Sequence, residues 1–171
     1  TAAAVPTLAQ YPGISQSRPN PPRANQSRTR QVYIPPIPNW TVGHSQRAGT
    51  NQIVEWVPRG QTVHRYTKMI TLNSFVPRPG VTPNAVLSNF AQRYRAACPR
   101  TTVVPVRLSS GYSGVRMDCP RNPTTGRPET VFARALSVYP AMAIIQYMTT
   151  YVTMPTEAAQ AREFLGRVGI R

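Results

Sequence analysis

Residues 130–150 read TVFARALSVYPAMAIIQYMTT, and the reading of this stretch decides the fold. From Thr130 to Val138, the residues Val131, Ala133, Ala135 and Ser137 alternate with Phe132, Arg134, Leu136 and Val138. A period of two belongs to a β-strand, whose successive side chains point to opposite faces. Tyr139-Pro140 makes a tight turn, and a second extended run follows from Ala141 to Thr153. Its apolar part, Ala141 to Tyr151, is broken by Gln146, Thr149 and Thr150. It falls short of the roughly 18–20 apolar residues that span a bilayer, so it reads as a strand and not an anchor.

Outward from this hairpin the chain alternates strands with two helices. Upstream, Ile53–Val57 is a short strand stopped by Pro58-Arg59-Gly60, and Met69–Phe75 is rich in strand formers. The clearest helix follows. Thr82 is a good N-cap, Pro83 suits the first helical position, and Val86, Leu87, Phe90, Tyr94 and Ala97 recur at helical spacing until Pro99. Thr101–Arg107 contains Pro105 and reads as an edge strand. Tyr112–Asp118 is a further strand, and Pro120–Pro128 a loop. Downstream, a last helix begins after Pro155, with Thr156 as its cap and Glu157 at its positive end. Ala158, Ala161, Leu165 and Val168 form its apolar stripe. The pattern predicts an α+β domain over residues 51–171: an antiparallel sheet of about five strands with two helices on one face.

Residues 1–50 differ in texture. They carry no acidic residue, and residues 1–40 hold eight of the nineteen prolines, so the segment is expected to be an extended, basic, Pro/Arg-rich arm. With so little to bury, such an arm does not offset its own ordering entropy unless a partner surface orders it. Tyr33, Ile34, Ile37 and Trp40 are its candidate anchors, because large rigid side chains bury much area at low entropic cost. Arg18, Arg23, Arg28 and Arg30 are its candidate anion contacts. The net charge is +15, twenty basic residues against five acidic, which favours an anionic partner: protein, lipid surface or nucleic acid. All the basic residues except Lys68 are arginine.

The chain opens Thr1-Ala2-Ala3-Ala4-Val5-Pro6, which reads as a processed end left by a removed export signal. Cys98 ends the first helix and Cys119 ends a strand. In a reducing compartment they are two buried thiols; in an exported protein they are a disulfide, and the processed-looking start favours the second.

Ile53-Val54-Glu55-Trp56-Val57-Pro58-x-Gly60-Gln61-Thr62-Val63, followed by Tyr66-Thr67-x-Met69-Ile70-Thr71, resembles the opening of a family of small exported bacterial domains of unknown function. The helix ending in Cys98, the strand ending in Cys119 and the Pro-started last helix are similar to the rest of that pattern. The resemblance covers residues 53–168 and leaves the arm outside it. It implies a periplasmic location and a Cys98–Cys119 disulfide; the expected location is periplasmic or exported, peripheral to a membrane. It implies no activity. Tyr66 stands where the pattern usually has Trp.

No motif raises catalysis above background. His44 and His64, the two histidines, sit at no ligand spacing from a cysteine or carboxylate. A zinc site needs Cys98, Cys119 and both histidines to converge, a Cys–His nucleophile needs one cysteine beside His64, and Glu55, Asp118 and Glu129 pair only if the fold brings them together. Gly111-Tyr112-Ser113-Gly114 lacks the Lys and helix of a phosphate loop. Arg59, Arg65, Lys68, Arg93, Arg95 and Arg100 with Tyr66 and Tyr94 are the mixture that suits phosphates and stacked bases. The expectation is a non-enzymatic structural subunit of a bacterial envelope or membrane-associated complex, without cofactor or metal, its partners being other protein subunits and an anionic lipid surface. The alternative is a capsid or other nucleic-acid-associated protein.

Overall fold

The computed structural model describes residues 30–171. In chain order these form β1 (Val32–Tyr33), β2 (Trp40–Ala48), β3 (Asn51–Pro58), β4 (Lys68–Phe75), α1 (Pro83–Ala97), β5 (Thr102–Arg107), β6 (Ser113–Cys119), β7 (Glu129–Val138), β8 (Ala141–Thr149), α2 (Pro155–Arg167) and β9 (Gly169–Ile170). Seven strands make one antiparallel sheet in the order β2-β3-β4-β8-β7-β6-β5, and β1 pairs with β9 apart from it.

The sequence expectation of about five strands with both helices on one face is therefore corrected. The fold is mostly β, the main sheet has seven strands, and the helices lie on opposite faces. The reason is in the central hairpin. Val131, Ala133, Met142, Ile144 and Met148 enter the core under α1 with Val86 and Ala91. Phe132, Leu136, Ala143, Ile145 and Tyr147 enter the other core, with Ala158, Ala161, Phe164 and Leu165 of α2. Both faces of β7 and β8 are apolar, and a strand apolar on both faces needs a cover on each side.

The second correction concerns the arm. Residues 40–48 are not extended arm but an edge strand, joined to β3 by a two-residue turn with Gly49 at φ 60°, and paired from Trp40↔Pro58 to Ala48↔Asn51. A bulge lies between Val42 and His44. A side chain on the bulged residue would crowd its neighbours: a Cβ on Gly43 would approach Val63 to 3.0 Å and Val57 to 3.1 Å, so those methyls would have to shift.

Residues 31–40 cross the α2 side of the sheet. Gln31 and Arg171 exchange backbone hydrogen bonds of 2.8 and 3.0 Å, which extend the β1–β9 pairing. Asn39 takes φ 63°, a conformation Asn tolerates, and its carbonyl accepts from Arg59 N–H at 2.8 Å. This corner delivers Trp40 into β2.

The helix starts separate a correct reading from a wrong one. The Thr82 hydroxyl accepts from Ala85 N–H at 3.2 Å, as its N-cap role requires. For α2 the expected cap, Thr156, is already inside the helix: Met154 is the N-cap, it makes no side-chain cap bond, and Pro155 opens the first turn. At the sheet's other edge lies β5, with Pro105 in it, as expected.

Candidate interaction surface

Of the three carboxylates whose meeting the sequence left to the fold, Glu129 and Glu55 both act on Tyr66, and Asp118 is bonded to Arg116 and Thr130. Glu157 is buried in the first turn of α2, 2.5 Å from Lys68 Nζ, and accepts from the Tyr151 hydroxyl at 2.6 Å. Burial pulls the Lys68 ammonium down, but its hydrogen bond to Glu157 and the charge there outweigh this, and the net displacement is upward. Glu129 is also buried; it accepts from the Tyr94 hydroxyl and from Asn122 Nδ2 at 3.1 Å. Asp118 accepts from Arg116 Nε at 2.8 Å and from the Thr130 hydroxyl at 2.8 Å. Burial and the nearby carboxylates Glu129 and Glu55 push Tyr66 up to about 12, and burial with the Glu129 hydrogen bond pushes Tyr94 up as well.

Cys98 and Cys119 are bonded, with Cα atoms 6.1 Å apart, so the end of α1 is tied to the end of β6. Neither sulfur is then a thiolate for zinc or for a Cys–His pair. His44 lies in β2 opposite Glu55 of β3, and His64 is exposed in the β3–β4 connection. Among the described residues no helix is long and apolar enough to cross a membrane.

Of the expected phosphate-and-base mixture, Lys68 stands apart. Lys68 is held by Glu157 at the start of α2, whereas Arg93 and Arg95 lie on α1 across the sheet. Tyr66 and Tyr94 are half-buried in the α1-side core, with Tyr94 bound to Glu129.

Three of the four arm anchors are brought together, on this chain's own domain. Ile34, Ile37 and Trp40 pack against the α2-side core, where Trp40 lies 6.2 Å from Tyr147 and Tyr147 6.3 Å from Phe164. Tyr33 pairs with Gly169, and the Arg171 guanidinium sits 3.5 Å over its ring. Arg30 is exposed. Arg18, Arg23 and Arg28 lie outside the described residues.

Two hollows flank the 31–37 segment on this face. One, of about 480 Å³, is lined by Ile34, Pro36, Ile37, Trp40, Val42 and Trp56. The other, of about 550 Å³, carries Arg30 and Arg47 beside Val32, Leu72 and Val138. Every arginine from Arg30 onward is exposed except Arg116 and Arg134, and of the exposed ones only Arg167 lies within ion-pair distance of a carboxylate, 3.9 Å from Glu163.

Sequence reasoning missed Arg134, although an arginine among apolar strand residues was the visible signal. Its buried guanidinium donates to the carbonyls of Leu165 and Val168 at 2.9 and 2.8 Å, at the end of α2, with the Tyr112 ring 3.8 Å away. Burial lowers its affinity for the proton, and Tyr112 opposes that. A cation there satisfies carbonyls that the last helical turn leaves unpaired and complements the negative end of the helix dipole. No family model matches the chain, and no curated protein matches it.

Proposed function

We propose that this chain is a non-enzymatic structural subunit of a larger envelope assembly in an exported compartment, of the kind its residues 53–71 resemble. It docks through the globular domain together with its basic N-terminal segment. One observation carries this reading: Glu157 and Glu129 are buried and Asp118 is paired with Arg116, while the exposed arginines from Arg30 onward face outward with almost no carboxylates of their own. A surface so unbalanced repels its own kind and attracts an acidic partner. The Cys98–Cys119 bond suits an oxidising compartment.

The test is to isolate the protein in its native complex, treat half with nuclease, and identify the co-purifying chains by mass spectrometry. A stoichiometric set of acidic protein subunits that survives nuclease supports the proposal. Release by nuclease, with an affinity falling steeply in salt, overturns it in favour of the nucleic-acid alternative.

A further inference from the structure

The main sheet has two edges, and they are not equivalent. In β5 the edge is interrupted at Pro105, which lacks the N–H that an added strand would need. In β2 the nine residues Trp40–Ala48 contain no proline, and past Trp40 none of their outward backbone groups has a backbone partner among the described residues. The bulge at Gly43 twists this edge, but Ser45–Ala48 remain in regular register with β3. Unprotected edges of this length are templates for another strand.

The side chains next to that edge are graded. On the α2 side, Val42 is 54% exposed and borders the apolar hollow formed with Ile34, Ile37, Trp40 and Trp56. Four positions beyond the bulge, Arg47 borders the second hollow with Arg30. One end is an apolar socket, the other is cationic.

We propose that β2 is a strand-addition site for an extended acidic segment of a partner protein. Main-chain hydrogen bonds along Thr41–Ala48 supply the affinity, and alternate side chains fall into the two hollows. The segment runs antiparallel to β2, as every neighbour in this sheet does, so an acidic residue meets Arg47 and Arg30 and an apolar residue about four positions later enters the Val42–Trp40 socket. A second copy is disfavoured by the net charge of +15, and residues 1–29 of the chain itself contain no acid to meet the arginines. The inference rests on the docking role proposed above. Its test uses purified protein alone, so it fails or holds whatever assembly the chain belongs to.

The probe is a synthetic peptide of about ten residues, alternating Thr and Val, with Glu in its first half and Leu in its second. Binding is followed by fluorescence anisotropy and backbone hydrogen exchange in the full chain. The peptide is expected to slow exchange at the outward amides of residues 41–48, those not already bonded to β3. Ser45→Pro and Gln46→Pro strike opposite sides of β2, so one removes only an outward N–H and should lose about tenfold in binding while keeping the melt. Arg47→Glu should weaken binding up to about fivefold, and a peptide with Lys in place of Glu should recover that loss. Protection confined to another part of the sheet, or two proline variants that bind like the parent, would overturn the proposal. So would protection of the outward amides of residues 41–48, those not bonded to β3, without peptide: if concentration-dependent the occupant is a second copy, and if not it is the chain's own residues.

Discussion

Arg134→Met isolates the contact that seats α2 on the sheet. The guanidinium donates to Leu165 and Val168 at 2.9 and 2.8 Å from a site 4% exposed. Hydrogen bonds to a charged group contribute about 1.5–3 kcal/mol each. Relief of the buried charge's desolvation returns part of that, because well-packed apolar residues often replace buried charges at little cost. Two carbonyls at the helix end are left without a donor, however, and the net loss is about 3 kcal/mol. For a domain of this size that lowers the melting temperature by about 6–12 °C. Circular dichroism melts measure it. Both bonds come from Nη1, so Arg134→Lys should fall between: an ammonium keeps the charge and can serve both carbonyls, but it ends a shorter side chain and loses the planar face stacked on the Tyr112 ring. Exchange at residues 169–171, which follow directly, should rise in the Met variant. A Met variant melting at or above the parent would refute the capping argument, and the arginine would then be a tolerated buried charge.

Three further outcomes are expected. Replacing both Cys98 and Cys119 by Ser opens a loop of sequence separation 21 and should cost about 3 kcal/mol in denaturant unfolding; an unchanged midpoint would contradict this. Removing residues 1–29 should leave a cooperative melt, whereas removing residues 1–50 takes away β2 and the Trp40 contact and should broaden or abolish it; equal melts would show that β2 adds nothing to the cooperative unit. Tyr66 and Tyr147 are raised to about 12 by burial, with Tyr94, Tyr151 and Lys68 also displaced upward. Groups whose folded pKa is raised stabilise fully below their unfolded value near 10, and that stability is lost as pH climbs from about 10 to 12. Denaturant midpoints that stay flat through that window would contradict the assignment.

The parts of the fold that local chemistry determines were legible. Thr82 and Pro83 marked α1, Pro105 marked an edge, and the alternation through Thr130–Val138 marked β7. The same hairpin also held the evidence for two covered faces, since Val131 and Ala133 are as apolar as Phe132 and Leu136. Alternation was read between two sets of residues that both belong inside. β2 was lost for the opposite reason. Its side chains are largely exposed, and Thr41, Gly43, Ser45 and Gln46 carry no apolar period, because an edge strand draws its order from β3 and not from burial. The anchors Tyr33, Ile34, Ile37 and Trp40 were picked out by size alone; that their surface would be Tyr147 and its neighbours depends on contacts over a hundred residues away.

The β1–β9 pairing has a mechanical consequence. Gln31 faces Arg171, Val32 faces Ile170 and Tyr33 faces Gly169, so the two strands separate from one end like a zipper. Tension between Arg30 and Arg171 does not load these bonds together; it peels Gln31 from Arg171 first and then each pair in turn. The core behind Trp40 is sheltered until the clip has opened. Opening it frees Gln31 to Tyr33 as slack, roughly 10 Å at about 3.3–3.6 Å per residue, while Ile34, Ile37 and Trp40 keep their contacts with the core. A chain built this way yields to a pull at low force over a short distance while its seven-stranded sheet stays intact.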